Sequence, residues 1–126
     1  PAMMWRLDAK EKGGVDGILR ELANRPSVYI KISALMRVVA GRGLTDPGIY
    51  KPVLDQMFET FGEDKLIFGS DWPNADAVDN LPVIVQIVRE YFQKKGQAVA
   101  EKYFWRNSVA AYKWVRRDPG QPRAGG

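Results

Sequence analysis

Residues 68–73 read Phe-Gly-Ser-Asp-Trp-Pro, and Asp71 is the acid here that invites a chemical reading. It follows the apolar run Lys65-Leu66-Ile67-Phe68, which has the character of a buried strand. A carboxylate at the end of a strand can take a proton from water if burial or a neighbouring charge tunes its pKa. It can equally cap a turn or accept backbone N–H groups ahead of Pro73, as Asp before a loop often does. Spacing alone favours the turn, because one Asp is not a motif. A second stretch, Val28-Tyr29-Ile30-Lys31-Ile32-Ser33, ends on a hydroxyl, and Arg37 follows shortly after. A guanidinium there can hold a carboxylate or a carbonyl oxygen in bidentate fashion, or simply be a solvated loop Arg. Trp72 can wall a pocket beside Asp71 or serve as packing.

Composition removes other chemistries. The 126 residues contain no Cys and no His. Thiol nucleophiles, a Ser-His-Asp triad and His- or Cys-ligated metal sites cannot be built from this chain alone. The net charge is +4, part of it from Arg116, Arg117 and Arg123 near the end. No Lys/Arg block is interleaved with aromatics, so a solvated basic surface is expected and no nucleic-acid partner. No apolar run approaches the ~18 residues of a membrane span. A cytoplasmic, membrane-free protein is expected.

These residues need elements to hold them. Val15, Ile18, Leu19, Leu22 and Ala23 fall at helical spacing, and Pro26 stops the helix. Residues 28–33 alternate as a strand, with Val28, Ile30 and Ile32 on one face and Tyr29, Lys31 and Ser33 on the other. Residues 34–45 read as a loop. Asp46-Pro47 opens a short turn, with the main helix beginning near 51 or 52 and Gly62 as its cap. Residues 65–70 form the second strand. Asp79 or Asn80 caps a helix bearing Leu81, Ile84, Val85, Val88, Tyr91 and Phe92, which Gly96 ends. Shorter helices are expected near 97–105 and 108–115, with Asn107 capping the last. Asp76 and Asp79 form no calcium loop with Asp71, and Asp79 reads better as a cap. Residues 1–115 are assigned to one domain and 116–126 to an unordered tail.

The order α-β-α-β-α-α-α indicates an α/β fold with a parallel sheet. Two strands are too few, because both outer edges would stay unpaired. In a (β/α)8 TIM barrel, active-site groups sit at the C-terminal strand ends. In that frame Leu66 and Phe68 face the helices, while Ile67, Gly69 and Asp71 face inward. Gly69 would leave space below Asp71 for water, metal or substrate. Lys31 would lie deep in the barrel, paired with an acid from a strand outside this chain.

The segment Phe61-Gly62-Glu63-Asp64-Lys65-Leu66-Ile67-Phe68-Gly69-Ser70-Asp71-Trp72-Pro73 resembles the last-strand signature of the amidohydrolase superfamily. It is most similar to the amidohydrolase-related branch of lactone hydrolases. Residues 26–35 resemble that branch's preceding strand, and residues 104–114 its C-terminal helix. The resemblance covers about residues 14 to 115. It implies the C-terminal part of a barrel hydrolase in which Asp71 is the general base and acid, and a metal ligand if a divalent ion such as zinc or manganese is used. Arg37, Ser33 and Trp72 would bind substrate, a small and anionic lactone. The chain departs from the family in lacking the first-strand His-x-His and the later His ligands. It is therefore expected to be a piece of a longer protein, inactive alone, whose partner is the rest of the barrel. A metal-dependent decarboxylase of the same superfamily and a non-catalytic α/β module pairing with another chain stand as alternatives.

Overall fold

The two apolar stretches at 28–33 and 65–70 pair with each other. In a computed structural model, which describes residues 9–74 and 81–121, β1 (Ile30–Ile32) and β4 (Leu66–Phe68) lie parallel. The register is Ile30 to Leu66, Lys31 to Ile67 and Ile32 to Phe68. Hydrogen bonds from Ile30 N to the Lys65 carbonyl (2.9 Å) and from Gly69 N to the Ile32 carbonyl (3.1 Å) extend the ladder at both ends. Asp76, Asp79 and Asn80 lie outside the described residues, as does Arg123.

Helix α1 (Ala9–Ala23) precedes β1, and Leu19, Leu22 and Ala23 pack on the core. Its last turn ends before Arg25, which instead reaches back to Glu21 at 2.6 Å. The Lys65 ammonium donates to the Ala23 carbonyl (2.5 Å) and the Arg25 carbonyl (2.8 Å). That cation satisfies carbonyls a helix C-terminus leaves open, and ties α1 to the start of β4.

The segment expected as a loop contains a hairpin, β2 (Val38–Val39) and β3 (Arg42–Gly43), antiparallel with Val39 opposite Arg42. Ala40 and Gly41 both have positive φ, 50° and 76°, which fits a two-residue hairpin connection. Asp46 then caps a 3-10 turn (Pro47–Ile49), its Oδ1 accepting from Gly48 N at 2.9 Å. Helix α2 (Lys51–Phe61) follows with Pro52 in its first turn, where a missing N–H costs nothing, and Gly62 closes it at φ 70°. The two-step start expected from Asp46, Pro47 and Pro52 is what forms.

Helix α3 (Leu81–Lys95) buries Ile84, Ile87, Val88 and Phe92. Gly96 breaks it at φ 123°. The C-terminal helices run together: α4 (Gln97–Glu101), a π turn (Lys102–Arg106) and α5 (Asn107–Ala111). The core lies between one face of the β1–β4 pair and the helices: Ile32 and Leu66 meet Val53, Leu54 and Met57 of α2, Ile84 and Val88 of α3, and Tyr103. Phe92 stacks on Tyr103 with ring centroids 3.7 Å apart, and Phe68 meets Tyr103 edge-on.

Asn107 is not a helix cap. The helix continues through it, and its side chain is buried, donating from Nδ2 to the carbonyls of Glu63 (2.8 Å) and Leu66 (2.9 Å). Residues 116–121 form an exposed turn in which Asp118 Oδ1 accepts from Gly120 N and Gln121 Oε1 from Arg117 N.

Candidate active site

The phase expected of the two strands holds. Leu66 and Phe68 join the helical core; Ile67 is buried outside that cluster. On the opposite face of the sheet, Lys31 and Ser33 stand beside Gly69. A Cβ at Gly69 would lie 2.7 Å from Ser33 Cβ, 2.7 Å from Lys31 Cδ and 2.8 Å from Lys31 Cγ. No real Cβ tolerates such contacts with a fixed neighbour, so Gly69 is required by close approach. This corrects one expectation. The space that Gly69 leaves is not free for water, metal or substrate, because the methylenes of Lys31 already cross it.

Each strand is followed within three residues by a left-handed residue. Ala34 follows Ser33 at φ 49°, and Asp71 follows Ser70 at φ 58°. Asp is one of the few non-glycine residues that visits this region readily. Asp71 is half-buried. The side chain that braces the turn is Ser70, whose Oγ accepts from Trp72 N at 3.2 Å. Among the described residues, no hydrogen bond or ion pair engages the Asp71 carboxylate. The Trp72–Pro73 peptide is cis, and Trp72 is 63% exposed.

Arg37 lies past the end of β1, exposed, at the entry to the hairpin. Its backbone is fixed at both ends: its N–H donates to Tyr50 Oη at 3.2 Å, and its carbonyl accepts from Leu44 N at 2.8 Å. Tyr50 is fully buried, and its hydroxyl donates to the Leu44 carbonyl and also lies against Met36 Sδ. Burial raises the Tyr50 pKa, while the Arg37 amide and charge pull it the other way. Tyr50 therefore pins residues 36–44 to the start of α2. A Tyr after Gly-Ile in a helix-opening turn gave no sequence signal of that role.

The structure thus brings Ser33, Lys31 and Gly69 together, and sets Asp71 two residues beyond Gly69 at the same end of the pair. Sequence put Lys31 on the correct face and level of the sheet, but not the lean of its stem toward the strand ends. The available signal was Gly69 itself, since an in-strand glycine often marks close approach of another group. Among the described residues, no three His, Cys, Asp or Glu side chains converge as a metal site. No described helix is long and apolar enough to cross a membrane.

Comparison with known proteins places these features. The chain is 30% identical over 95 residues to an L-fucono-1,5-lactonase from Burkholderia multivorans, an alignment covering 73% of this chain and 32% of the relative. The chain thus spans about a third of the length of that curated relative. Among solved structures it is similar to amidohydrolase 2 from Bifidobacterium longum subsp. infantis, with a TM-score of 0.62 at 23% identity, over 86% of this chain and 36% of that one. It is also similar to an amidohydrolase from Burkholderia multivorans with bound zinc, with a TM-score of 0.67 at 24% identity, over 79% of this chain and 37% of that one. The fold is accordingly part of an α/β TIM barrel, with β1 and β4 as two of its parallel strands. The family profile described as amidohydrolase matches residues 2–114, and this chain belongs to that family.

Proposed function

We propose that this chain is the C-terminal part of a barrel hydrolase acting on a small lactone, with Asp71 as its general base and acid. One observation carries the assignment of Asp71: Ser70, not Asp71, braces the turn after β4, and among the described residues no hydrogen bond or ion pair engages the Asp71 carboxylate. A turn residue would be expected to hold the turn. Family membership and the lactonase relative support the reaction class.

The chemistry follows from the groups present. The Asp71 carboxylate takes a proton from water as its oxygen bonds to the lactone carbonyl carbon. Collapse of the tetrahedral adduct breaks the ring C–O bond, and the proton passes from Asp71 to the leaving ring oxygen. The product is the open hydroxy acid. Ser33 and Arg37 bind substrate oxygens, and Trp72 walls the mouth. Residues from the rest of the barrel complete the pocket, so this chain alone is inactive.

Zinc in the Burkholderia amidohydrolase raises the question of a metal here. A catalytic zinc takes about three protein ligands, commonly His. This chain has no His or Cys, and among the described residues Asp71 is the carboxylate at the strand ends. Asp71 could supply one ligand of a divalent metal such as zinc or manganese, the others coming from the rest of the barrel, where the ion would polarise the lactone carbonyl; no step above passes through one.

The test is Asp71→Asn in the intact barrel. Asn also tolerates positive φ, so the turn should survive. Lactone hydrolysis should fall by about 100-fold or more with an unchanged melting temperature. Undiminished turnover would return Asp71 to the turn.

A further inference from the structure

The face of the sheet opposite the helices carries Lys31. Lys31 sits in register with Ile67, yet its Cγ and Cδ lie over Gly69, two residues further toward the strand ends. Strand side chains lean along the strand, and here the lean is made possible by a glycine. The direction matters. The stem runs toward the end of the sheet where Ser33 and Asp71 lie. Among the described residues that ammonium has no carboxylate partner and no hydrogen bond. Lys51, Lys65 and Lys102, by contrast, are engaged by carboxylates or backbone carbonyls. Lys31 is exposed in this chain; where the rest of a barrel covers that face, the ammonium needs a counter-charge, because an unpaired buried charge is heavily penalised.

We propose that Lys31 is a substrate-binding residue that selects a lactone bearing a carboxylate, with Gly69 serving as the gap through which its stem reaches the site. The assignment rests on the hydrolase reading for the identity of the ring, but not for the binding of the anion. The ammonium donates to the substrate carboxylate and fixes the ring above Ser33. The carbonyl is thereby presented to the water that Asp71 activates. The rival occupant of the Lys31 ammonium is an acid from another barrel strand.

Binding separates these readings. With the intact protein, calorimetric affinities are compared for glucarolactone, which carries a carboxylate, and neutral gluconolactone. The wild type should prefer the anionic lactone by about tenfold or more, the scale of one charge-assisted contact. Lys31→Met keeps the methylene stem over Gly69 and removes the charge; it should erase that preference while leaving gluconolactone affinity and melting temperature unchanged. Gly69→Ala, whose Cβ would meet Lys31 Cγ and Cδ, should weaken the preference in the same direction. A wild type without preference, or a Lys31→Met protein that retains it, overturns the proposal. A Lys31→Met protein that loses stability and affinity for both lactones alike points to the structural ion pair and also overturns it. If the wild type binds the anionic lactone through Lys31 but opens neither ring, the hydrolase reading fails and the Lys31 assignment stands.

Discussion

The Asn107 side chain donates to the carbonyl of Leu66 at 2.9 Å, and to that of Glu63 at 2.8 Å, joining the C-terminal helix to the first residue of β4. The same strand ends two residues later at Phe68, ahead of the loop that carries Asp71. Removing the amide leaves two carbonyls near the core without a donor, each worth about 1–3 kcal/mol. Asn107→Ala should therefore lower unfolding free energy by about 2–4 kcal/mol, read as a shift in urea midpoint at constant slope. Asn107→Asp should be worse, since it faces both carbonyls with acceptors. A loss below about 0.5 kcal/mol for Asn107→Ala would mean that water replaces the amide and the bolt is dispensable.

Tyr50 plays the corresponding part for β1. Its hydroxyl links the Leu44 carbonyl and the Arg37 amide, and so holds the hairpin that follows Ser33. Tyr50→Phe keeps the ring in the core and removes only those links. The expected loss is about 1–3 kcal/mol. Amide hydrogen exchange should accelerate at Arg37 and Leu44, while Ile30 and Gly69 in the parallel pair keep their protection. Uniform acceleration across all four amides would show that Tyr50 acts on the whole core instead of on the hairpin.

How much of this was legible beforehand depended on the physical range of each signal. The alternation of Val28, Ile30 and Ile32 against Lys31 and Ser33 is a local pattern, and it assigned the faces correctly. So did the caps at Asp46 and Gly62, because capping is decided within a few residues. The β2–β3 hairpin escaped because its strands are two residues each and one turn position is Ala40, a residue that seldom takes positive φ. Asn107 was misread for a different reason. An Asn among helical residues looks like a cap by propensity, but its partners lie more than 40 positions away in sequence. Gly69 was half legible: the absence of a side chain was visible, and what fills the gap was not. The reach of Lys31 across a neighbouring strand is a tertiary fact that periodicity does not encode.

Tyrosines dominate the expected alkaline behaviour. Burial raises the pKa of Tyr103 and of Tyr50, and burial followed by the Asp55 hydrogen bond raises that of Tyr91. Each folded pKa lies above the unfolded value of about 10. The unfolded chain therefore loses protons first, and stability is full below about pH 10 and falls as pH rises toward the folded values. Lys102, raised by Asp64 and Glu63, adds to the same trend. Tyr103 offers a direct check, because its hydroxyl has no hydrogen-bond partner among the described residues. Tyr103→Phe should leave neutral-pH stability equal or higher by up to about 1 kcal/mol, and should flatten the decline in urea midpoint between about pH 9 and about pH 11. An unchanged alkaline slope would remove Tyr103 from this account.

Asp71 itself separates fold from function most sharply. At φ 58° it occupies a conformation that costs most L-residues about 1–2 kcal/mol and costs Gly nothing. If the carboxylate had a structural role, substitution by Gly should be harmful. If it stands there for chemistry, a backbone better suited to the turn comes with loss of activity, the trade-off common at functional sites. Asp71→Gly should keep stability within about 1 kcal/mol of wild type or raise it, while hydrolysis by the intact barrel is lost. Asp71→Val, β-branched and forced to positive φ, should lose both. The pairing of these outcomes is the discriminating measurement. A Gly variant that unfolds about 2 kcal/mol more easily would show that the carboxylate holds the turn together, whatever Ser70 contributes.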